Sequence, residues 1–146
     1  MDFFTSMDIS SSALTAERTR MNLISSNIAN ANSTRTQEGG PYKRKDAVFA
    51  SSPPSPGSFR SALMNASKKG SMGVEVVEVL EDQNPPRLQY DPSHPDADPQ
   101  GYVAYPNVNV VEEMADMIAA TRAYEANVTA SQAAKSMALK TLEISK

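Results

Sequence analysis

Apolar and polar positions alternate in three regimes along the chain. From about residue 3 to 31 the apolar positions recur at helical spacing. Met7, Leu14, Met21 and Ile28 step by seven, and so do Ile9, Ala16 and Leu23. The two series stand two residues apart, about 200° around a helix of 3.6 residues per turn, so they mark opposite faces. One packing partner needs one stripe, and two stripes predict burial on two sides. Thr5, Ser12, Thr19 and Ser26 run between them.

A second helical pattern covers residues 110 to 144. Val110, Met114, Met117, Thr121, Tyr124, Val128 and Ser131 follow 4-3 spacing, and Ile118, Met137 and Leu142 add apolar bulk. Alanines such as Ala119, Ala123, Ala126 and Ala130 cover much of the remainder. They favour the helix and also permit close approach by neighbours. Asn109 with Glu112 has the form of a capping box, and Glu112 and Glu113 suit the positive end of the helix dipole.

The middle differs in kind. All ten prolines lie between Pro41 and Pro106. "PYKRKDAVF" and "GVEVVEVLED" have strand character. In the second, Val74 and Val76 face one way while Val77 and Val79 face the other, a parity switch that predicts a bulge or a two-sided strand. "RLQY" and "GYVAY" pair as a hairpin across "DPSHPDADPQ". Residues from about 50 to 73, rich in Pro, Ser and Gly, read as a mobile linker. The fold class is therefore α+β. Residues 1–33 and 107–146 form a discontinuous helical inner domain, coiled-coil-like in character, and residues 34–106 form a β-rich insert.

Composition narrows the function. Fourteen basic residues against 17 acidic give a net charge of −3, which argues against a nucleic-acid binder. Cysteine is absent, so thiol and disulfide chemistry are excluded. The start, "MDFFTSMDIS", lacks the basic and apolar regions of a secretory leader. No stretch approaches the roughly 18 to 20 apolar residues of a membrane span.

Candidate chemistry is sparse. Asp91, His94, Asp96 and Asp98 offer four potential metal ligands within one loop, and "DADPQG" begins like a calcium loop. Its twelfth position, however, is Asn107 rather than Glu, and Pro92, Pro95 and Pro99 mark a rigid turn in which Asp is common. A small enzyme or metal-binding domain built on this loop is the alternative to an assembly protein. No nucleophile elbow, phosphate loop or dinucleotide fingerprint is present, so no catalytic residue, cofactor or metal is assigned. Lys43 to Lys45 read as a solvated strand edge that resists wrong pairing.

Two terminal helices without enough core of their own, bracketing a small insert, indicate an assembly subunit. The stretch "SSNIANANS", Ser25 to Ser33, and the C-terminal "NVNVVEEMADMIAATRAYEANVTASQAAKSMALKTLEI" resemble the paired signatures of the axial proteins of the bacterial flagellum. "TRTQEGGP" between the Asn motif and "YKRK", with "DPSHPDADPQGYVAYPNVNVVEEM", is similar to the proximal-rod branch of that family. The resemblance implies a structural rod subunit that transmits torque across the periplasm, encloses an export channel, and leaves the cell by type III export without a cleaved signal. Implied partners are other copies, the rod proteins FlgB, FlgF, FliE and FlgG, the MS ring, and the export apparatus in transit. The expected assembly interface comprises Met7, Leu14, Met21, Leu23, Asn27, Ile28, Asn30 and Asn32 in the first helix region. In the second it comprises Val110, Met114, Met117, Ile118, Ala123, Tyr124, Val128, Met137 and Leu142. Asn27 is expected to fix register as a buried amide, because such a group penalises any packing that leaves it unpaired. Asn30 and Asn32 fit that role or a helix-ending turn equally well.

Overall fold

The computed structural model describes residues 3–37, 39–52 and 73–144. Helix α1 spans Phe3–Ala29 and helix α2 spans Val110–Ile144. Between them lie β1 (Lys45–Ser52), β2 (Gly73–Glu81), β3 (Arg87–Tyr90) and β4 (Tyr102–Tyr105). The four strands make two separate two-stranded antiparallel ribbons, β1–β2 and β3–β4. The architecture is α+β, with a helix at each end of the described chain and a small antiparallel insert between them. Of the expected linker, residues 50–52 and 73 belong to strands, and the rest lies outside the described residues.

The helices pack against each other more extensively than any other pair of elements, and they run antiparallel. Asn27 meets Glu113 near one end, and Met21 meets Thr121 further along. On α2, Ala123 and Val128 are half-buried, and the other buried or half-buried positions are Glu113, Met117, Ala120, Tyr124, Asn127, Ser131, Ala134 and Ala138. The latter form a strict 4-3 series, but it is rotated from the one the apolar residues predict. Only Met117, Tyr124 and Ser131 belong to both; Val110, Met114 and Thr121 are exposed and Val128 is half-buried. The seam selects small side chains, because Ala at the contact lets two helix backbones approach closely. Of the larger apolar residues, Val111, Met114 and Ile118 are left outside.

On α1 the buried apolar positions are Ala16 and Ile24, with Ala31 buried in the turn that follows, and only Ala16 lies in an expected series. Met21, Leu23 and Ile28 flank them as half-buried residues. Among the described residues the buried hydrophobic core is Ala16, Ile24, Ala31, Val103, Ala120 and Ala134. Four of these are alanine, so little apolar area leaves water per residue and each core position contributes little.

The ribbon β1–β2 lies on α1. Its register pairs Lys45 with Glu81 and shifts between Val48 and Phe49, which face Glu78 and Val76. Of the two outcomes the parity switch allows, the strand takes the bulge: Val77 is its extra residue, and it is 61% exposed. The hairpin β3–β4 forms as expected, with Arg87 opposite Tyr105 and Tyr90 opposite Tyr102. Its loop returns at Gly101, where φ is +85° and an added Cβ would stand 2.9 Å from the Tyr90 ring. Only glycine suits both conditions.

The expected solvated edge at Lys43 to Lys45 holds in part. Lys43 is exposed, and Lys45 pairs across the ribbon with Glu81 at 3.3 Å. Arg44 instead turns inward to Glu113, because a buried carboxylate on α2 requires a cation. The strand itself begins at Lys45, two residues after Lys43.

A buried polar junction and the candidate assembly surfaces

The turn after α1 begins with Asn30. Its Nδ2 donates to Ser26 O at 2.9 Å, and its Oδ1 accepts from Ser33 Oγ at 3.1 Å. Both bonds close the helix C-terminus, where carbonyls lack intrahelical partners. Asn32 is exposed in the same turn. Ser33 O then accepts from the Tyr42 amide at 3.1 Å, so residues 33 to 42 form a closed loop that returns the chain beside α1. That return places Tyr42, Arg44 and Lys45 against Asn27.

Asn27 is 1% exposed. Its Nδ2 donates to Lys45 O at 2.8 Å and to Glu113 Oε2 at 3.0 Å. Its Oδ1 accepts from Tyr42 Oη at 2.9 Å and from the Lys45 amide at 3.0 Å. Two donors and two acceptor sites are the whole capacity of a side-chain amide, and all are used. Glu113 is equally buried, at 1%, and its Oε1 accepts from Arg44 Nε at 2.5 Å. Arg44 also approaches Asp46 at 3.4 Å and Asp116 at 3.8 Å. Partial burial opposes the guanidinium charge, but the hydrogen bond and charge of Glu113, with Asp46, outweigh it and hold the Arg44 pKa above its ordinary value. The junction therefore joins α1, β1 and α2 through one satisfied polar cluster.

At the start of α2, Asn109 accepts from the Val111 amide at 3.2 Å and so caps the helix. Glu112, the expected return half of the capping box, is exposed, and it is Glu113 that turns inward. Sequence reading credited Glu113 to the helix dipole alone and assigned Arg44 and Tyr42 elsewhere or nowhere. Their positions 69 and 15 residues from their partners left no local signal.

The loop Asp91–Asp98 spends its acids on its own backbone. Asp91 Oδ1 accepts from the Ser93 hydroxyl at 2.6 Å and the Ser93 amide at 3.1 Å. These bonds, hydroxyl first, lower the Asp91 pKa from its ordinary value. Asp98 Oδ1 accepts from the amides of Gln100 and Tyr102, each at 2.9 Å. His94 Nδ1 accepts from the Asp96 amide at 3.1 Å, and Asp96 Oδ2 from Thr34 Oγ1 at 2.8 Å. Among the described residues no three His, Cys, Asp or Glu side chains converge as metal ligands.

The remaining interface residues divide by exposure. Met7, Val110, Met114, Ile118, Met137 and Leu142 are exposed, while Leu14, Ala123, Tyr124 and Val128 are half-buried. Beside the junction, α1, β1 and α2 enclose a groove of about 260 Å³, lined by Arg20, Leu23, Ile24, Asp46, Asp116 and Ala119 among others. No helix among the described residues is long and apolar enough to cross a membrane.

Residues 7–35 match the family model described as flagella basal body rod protein, and residues 100–144 match flagellar basal body rod FlgEFG protein C-terminal. The chain is 45% identical to the flagellar basal-body rod protein FlgC of Bacillus subtilis, with all of both chains covered. It is 45% identical to the FlgC of Borreliella burgdorferi, covering 94% of this chain and 93% of that one. Against the FlgC of Salmonella typhimurium the identity is 41%, with 94% and 93% covered. Matches at both helices and across the insert, at this identity and coverage, place the chain in the FlgC family of flagellar basal-body rod proteins.

Proposed function

We propose that the chain is a structural subunit of the flagellar basal-body rod and works without catalysis. In this reading it belongs to the proximal rod, transmits torque across the periplasm and helps enclose the export channel. Residues 1–33 and 107–146 serve as a discontinuous inner domain whose helices pack in coiled-coil fashion with neighbouring chains. Residues 34–106 lie outside it. Other copies, FlgB, FlgF, FliE, FlgG and the MS ring are the neighbours, reached after type III export without signal cleavage.

The observation that carries the reading is the apolar surface of α2 directed away from α1. Val111 is 75% exposed, Met114 54%, Ile118 59% and Met137 64%. A long helix with a core of alanines gains most of its stability from packing, and these side chains supply area for a second partner. The helical inner domain of a rod subunit needs such a surface.

Complementation of a strain lacking the rod gene tests this. Met114→Asp with Ile118→Asp, both exposed, should leave the purified chain as helical as the parent but abolish motility and complete basal bodies. Full motility with normal basal bodies would overturn the reading of this face.

A further inference from the structure

Among the described residues no strand pairs with either outer edge of the β1–β2 ribbon, and α1 reaches both edges. The amide of Asp82 donates to Arg44 O, so residues 44 and 82 form a hydrogen-bonded pair. Antiparallel alternation, carried through the bulge, then points the backbone groups of Lys45, Ala47, Phe49 and Ser51 away from β2, and those of Val74, Val76, Val79 and Glu81 away from β1. The outward amide and carbonyl of Lys45 both go to the side chain of Asn27, at 3.0 and 2.8 Å. The outward amide of Val74 goes to Ser12 Oγ at 3.0 Å. Asp46 Oδ1 takes the outward amide of Ala47 at 2.8 Å.

The approach of Ser12 is built in. Gly73 lies so close that an added Cβ would stand 2.7 Å from Ser12 Oγ. The hydroxyl donates to Ile9 O at 2.8 Å, which turns its lone pairs to the ribbon. Asn27 offers one donor and one acceptor to one residue, as an adjacent strand would. We propose that Asn27 and Ser12 act as surrogate strand partners, so that α1 closes the two ends of the ribbon against strand addition by another copy of this chain.

The physical need is plain. A two-stranded ribbon is marginal alone, and an unpaired edge is a template for edge-to-edge association. β2 is rich in valine, and Val77, Val79 and Leu80 are exposed, which makes this ribbon a liability during assembly. The inference stands independently of the rod reading, since it concerns only which backbone groups α1 covers.

Hydrogen exchange on the full chain tests it. Ser12→Ala should raise exchange of the Val74 amide about tenfold and leave the Lys45 amide unchanged, with helical circular dichroism intact. Asn27→Ala should act first on the Lys45 amide. The double variant should self-associate in sedimentation at concentrations where the parent does not, and adding Val77→Lys at the exposed bulge should reverse this. Should Asn27→Ala unfold the helices, Ser12→Ala with Gly73→Ala carries the same association test at the ribbon's far end. Unchanged Val74 exchange in folded Ser12→Ala would overturn the proposal. So would a folded edge-opened variant that associates no more than the parent.

Discussion

Asn27 and Glu113 are separated by 86 residues of chain and joined by a 3.0 Å hydrogen bond in which both groups are buried. The pair ties the end of α1 to the start of α2, and through Arg44 and Lys45 it fixes where the insert leaves the helices. A buried carboxylate held by an amide and a guanidinium is costly to leave half-made. Specificity of docking, more than net stability, is what such a cluster supplies.

Removing Glu113 leaves Arg44 and one Asn27 donor without their partner. Glu113→Ala should cost about 2 to 4 kcal/mol in urea unfolding, since the loss of one member of a buried pair is typically several kcal/mol and Arg44 retains some solvent contact. Glu113→Gln keeps an acceptor for Asn27 and should cost less than half as much. Equal losses in the two variants would show that the charge of Glu113, and not its hydrogen bond to Asn27, carries the effect.

The charge on Arg44 should not limit stability under alkaline conditions. A group whose folded pKa is raised contributes stability that is present below its ordinary value and is lost only as pH rises through the folded value. For an arginine whose pKa is raised above its already very high ordinary value, that window lies beyond working pH. Urea midpoints at pH 8 and pH 10 should therefore agree for the parent chain and differ no more in Arg44→Lys. A midpoint that falls over this range in Arg44→Lys alone would assign the junction's tolerance to guanidinium.

Asp91 behaves in the opposite sense. Its pKa is lowered by the Ser93 hydroxyl and amide, so its contribution is present above the ordinary carboxylate value and is lost as pH falls through the lower folded one. Carbon-detected carboxyl titration should place Asp91 below the ordinary aspartate value. Ser93→Ala removes the larger cause and should move it up, while calcium at micromolar concentration should leave the titration unchanged. A calcium-dependent shift of Asp91 would revive the metal reading of this loop.

Much of the fold was legible because its signals are local. Helix boundaries came from spacing and from Asn109, and the β3–β4 hairpin from two short apolar runs around a proline-rich loop; valine parity in β2 left a bulge and a two-sided strand both open. The helix seam was harder. Apolar bulk pointed to Val110, Met114 and Thr121, whereas the contact uses Glu113, Ala120, Asn127 and Ala134. Periodicity with the right step gave the wrong phase, because close helix packing rewards small side chains and here places large ones such as Met114 outside. Asn27 stood out as a buried amide in sequence, but its partners Tyr42, Lys45 and Glu113 converge only through the closed loop 33–42 and the helix return. Nothing along the chain encodes that meeting.

The same packing alters what the insert can do alone. Terminal helices that are marginal without packing partners favour residues 40–106 as the fragment that survives limited proteolysis. The structure shows two unconnected ribbons, with Lys45 and Val74 held by α1. A fragment of residues 40–106 should therefore lack dispersed amide chemical shifts, while in the full chain the ladder amides of β1 and β2 stay protected from hydrogen exchange. A folded, resistant fragment would mean that the ribbons support each other without α1.

The alanines of α2 separate packing within the chain from packing between chains. Ala120 is 1% exposed and faces α1, whereas Ala126 is exposed on the same helix. Leucine at either position changes helix propensity only slightly, so differences must come from what each side chain meets. Ala120→Leu overpacks the seam and should destabilise the purified chain by about 1 to 3 kcal/mol. Ala126→Leu should leave its urea midpoint unchanged. In cells the order of severity need not follow. If neighbouring subunits lie against the Ala119, Ala126 and Ala130 face, Ala126→Leu repeats its clash in every copy and should stop rod assembly with the isolated chain intact. Motility and purified basal bodies from the two strains, beside urea unfolding of the two proteins, decide the matter. Normal rods carrying Ala126→Leu would mean that this face of α2 looks into open space, and the partner surface would then have to be sought around Met114 and Ile118.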